Sequence, residues 1–134
     1  MRSNNGTLNA QLARVISEVG HTDLVVVTDA GLPIPKHVER VDLALKQGIP
    51  AFLDVLDTVL AELRVEAAIV PEEIAEHSPE MLAEIRRRLE AADIEVAVVP
   101  HEEFKVRTTG ARAAVRSGEF TPYANVILQA GVVY

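Results

Sequence analysis

The 134-residue chain is predicted to be one α/β domain, residues 1–134, a sandwich with a largely parallel or mixed sheet flanked by helices. Three observations predict this. Short apolar runs alternate along the chain with longer segments whose apolar residues recur at helical spacing. Apolar residues make up 49% of the chain and charged ones 25%, enough for a core and too little charge for disorder. No repeat, low-complexity tract or Ser/Pro-rich linker divides the sequence, and its length suits a single domain of about 100–150 residues.

Leu8, Leu12, Val15, Ile16 and Val19 share one helical face, which predicts a helix over 8–19 with Gly20 as a left-handed C-terminal cap. Residues 24–28, between His21-Thr22-Asp23 and Asp29-Ala30-Gly31, read as a buried strand. Two prolines and a glycine make 30–37 an irregular loop. Residues 41–45 form a short apolar stretch, taken as a strand. Pro50 suits the first turn of a helix whose face is Phe52, Val55, Leu56, Val59, Leu60 and Leu63. Residues 65–70 are the next strand. A third helix carries Met81, Leu82, Ile85 and Leu89, with Ser78-Pro79-Glu80 at its start. Strand 94–99 is closed by Pro100, a short helix follows over 101–109, and 113–116 and 126–130 are two further strands separated by a turn-rich segment. Any antiparallel strand is expected at one edge of the sheet.

Composition narrows function. Thirteen Lys and Arg against 20 Asp and Glu give a net charge of −7, which argues against a nucleic-acid backbone and against an anionic membrane surface. Aromatics are 4% with no Trp, a poor platform for stacking bases. The absence of Cys removes disulfides, thiolate metal sites and a Cys nucleophile. Residues 1–10 are polar, so no signal peptide is expected, and the longest apolar runs are far too short for a membrane span. A cytoplasmic protein is the expectation. No GxSxG elbow, Gly-rich phosphate loop, GxGxxG fingerprint or HExxH helix occurs.

The residues left to carry chemistry are few. Glu73 and His77 are four apart, as metal ligands on a helix can be, but two ligands do not make a site and a solvated surface pair has the same spacing. His21 lies where a helix ends and a strand begins, a place equally suited to a dipole-capping histidine. Asp29 lies at the carboxyl end of that strand, where open α/β sheets bind ligands, and where a loop-capping carboxylate would also sit. The two flank opposite ends of one strand, so a site using both more naturally joins two subunits. Tyr123 and Asn125, on either side of Ala124, can donate and accept hydrogen bonds to a polyhydroxylated ligand, or satisfy an ordinary turn. His101 and Lys105 have i, i+4 spacing on a predicted surface helix.

Several stretches together resemble the D-ribose pyranases, the ribose branch of a ribose and fucose mutarotase family: GHTDLVVVTDAGLPIP at 20–35, QGIPAFLDVL at 47–56, VEAAIVPEEI at 65–74, HEEFK at 101–105 and RSGEFTPYANVILQAGV at 116–132. Fucose mutarotases share the plan but do not usually read DAGLPIP, which favours the ribose branch. The resemblance implies an isomerase that interconverts the β-pyranose and β-furanose forms of D-ribose with no metal or organic cofactor. It implies a ring-shaped homo-oligomer, an octamer or decamer, with sites between neighbouring subunits. His21 then matches the catalytic histidine, and Asp29, His101, Tyr123, Ala124 and Asn125 match sugar-binding positions. Lys105 matches on a shorter motif. Two other readings use the same residues: a non-catalytic sugar-binding accessory of a ribose transporter, and a fucose-type mutarotase.

Overall fold

The computed structural model describes residues 1–3 and 5–134. Helix α1, Ala10–Glu18, is shorter at its start than the apolar spacing predicts. Asn9 caps it by accepting the Leu12 N–H at 2.8 Å, which leaves Leu8 outside the helix and exposed. Its end also differs from expectation. The C-cap is Val19 in an extended conformation, and the left-handed residue is Thr22, at φ 73°, not Gly20. Asp23 explains the shift: its Oδ2 accepts the Gly20 N–H at 2.9 Å and closes the turn without a left-handed glycine.

Strand β1 is Leu24–Thr28, and β2 is Glu39–Asp42, displaced from the predicted 41–45. Pairing decides the difference. Val41 is buried opposite Val115, whereas Leu45 lies beyond the ladder and is exposed. Then follow α2 (Phe52–Glu62), β3 (Val65–Pro71), a one-turn α3 (Ile74–His77), α4 (Pro79–Ala91), β4 (Glu95–Val99), α5 (His101–Thr108), β5 (Ala113–Arg116) and β6 (Val126–Ala130). Ser78 precedes α4 as expected, but its hydroxyl donates to the Pro122 carbonyl at 2.8 Å rather than capping the helix. That bond ties α4 to the turn before β6.

The six strands form one sheet in the order β2-β5-β1-β6-β3-β4. Neighbours β2 and β5, β5 and β1, and β3 and β4 run parallel, while β6 lies antiparallel between β1 and β3. The mixed strand is therefore central and not at an edge. Alternation in the strands sorts side chains onto two faces. Val25, Val27, Val115, Val126 and Leu128 pack with Phe52, Leu56 and Val59 of α2 and with Ile85 and Leu89 of α4. Val26, Ala114 and Ile127 turn to the other face, under Phe104 of α5 and Leu32 and Val38 of the 30–38 loop. With β6 reversed, the carboxyl ends of five strands and the amino end of β6 gather at one end of the sheet. The amino ends of β1 and β3 meet the carboxyl end of β6 at the other.

Candidate active site

At the first of these ends Asp29 follows β1 directly. Its Oδ1 accepts the N–H groups of Gly31 at 3.0 Å and Leu32 at 2.8 Å, which fixes the start of the 30–37 loop. Asn125, the residue before β6, meets Asp29 twice. Its Oδ1 accepts the Asp29 N–H at 2.9 Å and its Nδ2 donates to Oδ2 at 3.3 Å. Asn125 is 1% exposed, so this pairing satisfies an amide that has no access to water. Tyr123 adopts φ 63°, which turns the chain so that Ala124 points into the core while Tyr123 stays half-buried.

His101 begins α5, and its N–H is held by the Glu73 carboxylate at 2.9 and 3.1 Å. The ring stands edge-on to Tyr123 at 5.0 Å and lies nearly parallel to Phe104 at 6.5 Å. Tyr123 also meets the His77 ring at 5.1 Å. Glu73, half-buried, thus anchors His101, while His77 is exposed and packs one side of its ring on Tyr123. Among the described residues no three His, Asp or Glu side chains cluster as metal ligands.

Asp29, Leu32, Pro33, His101, Tyr123 and Asn125 line a cleft of about 280 Å³, at the small end of ligand sites. A hollow of about 350 Å³ adjoins it, sharing Asp29 and Gly31 and bordered by Arg116, Glu119 and Phe120. Burial pushes the Asp29 carboxyl above its ordinary value, against the Gly31 and Leu32 N–H groups, the Asn125 amide and the nearby His101. Nδ1 of His101 is buried and is the one such side-chain polar atom among the described residues with no hydrogen-bond partner. An unpaired buried acceptor or donor is costly, and a ligand hydroxyl in the cleft would supply what it lacks. Lys105 stands apart: its Nζ pairs with Glu102 at 2.9 Å and it does not line the cleft.

Glu119, which composition does not single out, braces the cleft wall. Its Oε1 accepts the Phe52 N–H at 3.0 Å, capping α2 from across the sequence where Ala51 has no side chain to do so. Its Oε2 accepts the Thr121 hydroxyl at 2.7 Å. Burial alone would raise this carboxyl, but those donors outweigh it and hold it below the usual range.

His21 is at the other end of the sheet. Strand β1, five residues and so roughly 17 Å long, separates it from Asp29. The structure thus brings Asp29, His101, Tyr123 and Asn125 together and leaves His21 outside their cleft, as its place before β1 implies. Its side chain is 51% exposed and its Nε2 lies 3.0 Å from Glu66 Oε2. Glu66 in turn accepts from Gln129 Nε2 at 2.7 Å. Sequence reasoning passes over Glu66, and weighs Glu73 only as a partner of His77 and not as an anchor for His101. The available signal was a lone carboxylate interrupting the apolar run at 65–70, and another just past its end.

The sequence profile of the RbsD / FucU transport protein family matches residues 2–133. The D-ribose pyranase of Laribacter hongkongensis (strain HLHK9) is 54% identical over 97% of this chain and 98% of its own. The structure of Bacillus subtilis RbsD complexed with D-ribose superimposes with a TM-score of 0.94 at 43% identity, covering 99% of this chain and 100% of that one. A fucose mutarotase in complex with L-fucose from Streptococcus pneumoniae, covering 100% of both chains, shares the fold at a TM-score of 0.81 and 24% identity.

Proposed function

The chain belongs to the RbsD / FucU transport protein family, and from that premise we propose that it is a cytoplasmic ribose pyranase, interconverting β-D-ribopyranose and β-D-ribofuranose. The observation that carries the reading is the small cleft in which a carboxylate, a phenol, a carboxamide and an unpartnered imidazole nitrogen converge. That set matches the alternating donors and acceptors of a free sugar.

The reaction opens one hemiacetal and closes another. A base takes the O1 proton as the C1–O5 bond breaks, and an acid delivers a proton to O5. The aldehyde is then attacked at C1 by O4, which gives up its proton while O1 regains one. Asp29, His101, Tyr123 and Asn125 hold the hydroxyls, and Asp29 in its charged form accepts from them. His21 delivers the proton to O5, work suited to a group whose ordinary pKa is about 6.5. Such acid–base assistance is worth roughly 10²–10⁴-fold, enough for a ring opening that already proceeds unaided.

Because His21 and the cleft lie at opposite ends of one subunit, the working site joins the cleft of one copy to the His21 turn of the next. The chain then assembles head to tail into a closed ring, an octamer or decamer. Exposed apolar side chains, Phe120 beside the cleft and Leu45, Ile49 and Val106 elsewhere, suit burial between copies.

NMR magnetisation transfer on D-ribose at equilibrium tests the function. Wild type should speed exchange between the β-pyranose and β-furanose signals, and His21→Ala should abolish that effect without weakening assembly. Ribose-dependent shifts in the protein with no acceleration by wild type would instead make it a sugar-binding accessory.

A further inference from the structure

We propose that Glu66 is a positioning residue for His21, holding the ring by its Nε2–H so that Nδ1 is the nitrogen presented to the sugar; this rests on His21 being the proton donor. Four observations converge on Glu66. The ladder between β3 and β6 slips a residue there, with Val65 opposite Ala130 and Ala67 opposite Gln129. Such a bulge re-aims the side chain it leaves unpaired. That side chain reaches the His21 turn, 3.0 Å from Nε2, although His21 sits on an exposed turn where an untethered ring would sample several rotamers. Glu66 does not itself swing freely, because Gln129 on the neighbouring strand donates to its second oxygen at 2.7 Å. Finally, Gly131 leaves the space: a Cβ there would stand 3.2 Å from Glu66 Cβ and 3.5 Å from Oε2.

The turn being oriented is rigid in its backbone. The Thr22 N–H donates to the Ala130 carbonyl, and the Ala130 N–H to the Asp23 carbonyl, each at 2.9 Å. The other charged groups around it are Asp23, paired with Arg112 at 3.1 Å, and Arg64 and Asp93, which line the hollow beside Glu66. Asp23 and Arg112 offset each other, so Glu66 is the carboxylate that bears on the imidazole. A carboxylate on one ring nitrogen fixes the tautomer and raises the proton affinity of the other. Gln129 and His21 together hold the Glu66 carboxyl below the usual range, so it stays charged where a histidine titrates.

Glu66→Gln keeps the shape and removes the charge. In the assembled protein kcat should fall about 10- to 100-fold with KM little changed. The His21 ring nitrogens, followed by heteronuclear NMR, should no longer be held to the single tautomer that the carboxylate imposes. Glu66→Asp keeps the charge on a shorter stem, and both readouts should lie between wild type and Glu66→Gln; it carries the test if Glu66→Gln does not assemble. An unchanged His21 tautomer and kcat in these variants, with His21→Ala inactive, would overturn the role of Glu66 alone. Full activity in His21→Ala would remove the proton-donor reading and the role of Glu66 with it.

Discussion

Asn125 and Asp29, ninety-six residues apart, are joined by a reciprocal pair of hydrogen bonds in which the amide of one reads both the backbone and the carboxylate of the other. The pair locks the end of β1 to the start of β6 and sets the floor of the cleft. Replacing Asn125 with Ala leaves the Asp29 N–H without its acceptor and the carboxylate without its Nδ2 donor. We expect a loss of about 1–3 kcal/mol in stability by chemical denaturation and a larger proportional loss in ribose affinity by calorimetry.

Ribose binding should also report the Asp29 carboxyl. Its pKa lies above 3.8, raised chiefly by burial, so the anion proposed to accept sugar hydroxyls is lost at a higher pH than for an ordinary Asp. Affinity should fall on acidification before free aspartate would titrate. The same group acts oppositely on folding. A raised folded pKa favours the protonated fold, so its contribution to stability is present below 3.8 and lost as pH rises through the raised value. Ribose titrations and denaturation curves over one pH series should therefore move in opposite directions.

Glu119 predicts the reverse trend. Its carboxyl is held below 4.5, so it stabilises the fold above that pH and ceases to as pH falls through the lowered value. Glu119→Gln should cost about 1 kcal/mol near neutrality, the usual worth of a helix cap. The gap to wild type should close on acidification, as pH-dependent melts would show.

Gly118 is sterically committed. A Cβ there would lie 2.4 Å from the Ile49 carbonyl oxygen and 2.6 Å from that of Lys46. Its own N–H donates to the Pro50 carbonyl at 2.8 Å, so it cannot easily withdraw. Gly118→Ala should destabilise by about 1–3 kcal/mol, as overpacking does. Because Glu119 and Thr121 follow, a crystal structure of the variant should show the cleft wall displaced.

The proposed shared site predicts complementation. His21→Ala and Asp29→Asn should each be inactive alone. Unfolded together in equal amounts and refolded as one assembly, they should regain about a quarter of wild-type turnover, the share of head-to-tail junctions that pair an intact His21 with an intact cleft. No recovery in a verified mixed assembly would mean that both residues must come from one copy.

Much of this architecture is legible in the sequence, and the failures have physical causes. Strands β1, β5 and β6 stand where their apolar runs place them, because burial on both faces leaves little room for other residues. The run at 41–45 misleads because Leu43 and Leu45 are apolar for reasons other than pairing, and only the register with β5 selects Glu39–Asp42. The direction of β6 is invisible, since period-2 alternation reads the same from either end. At the site, Asp29, Tyr123 and Asn125 are legible as polar residues at strand ends. Glu73 is not, because its role is to a backbone N–H twenty-eight residues away. Glu66 is hidden by a bulge that no local pattern announces.

The placement of His21 and Asp29 at opposite ends of β1 makes dilution a chemical variable. With the shared site proposed above, a lone subunit would carry every group the reaction uses and still lack one working site, so turnover per chain would measure neighbours and not folding. Specific activity should then fall as the protein is diluted below the concentration at which copies part, while each chain keeps its secondary structure. An organism tuning this step would have, besides expression level, the steepness of assembly as a control on how fast one sugar ring becomes another.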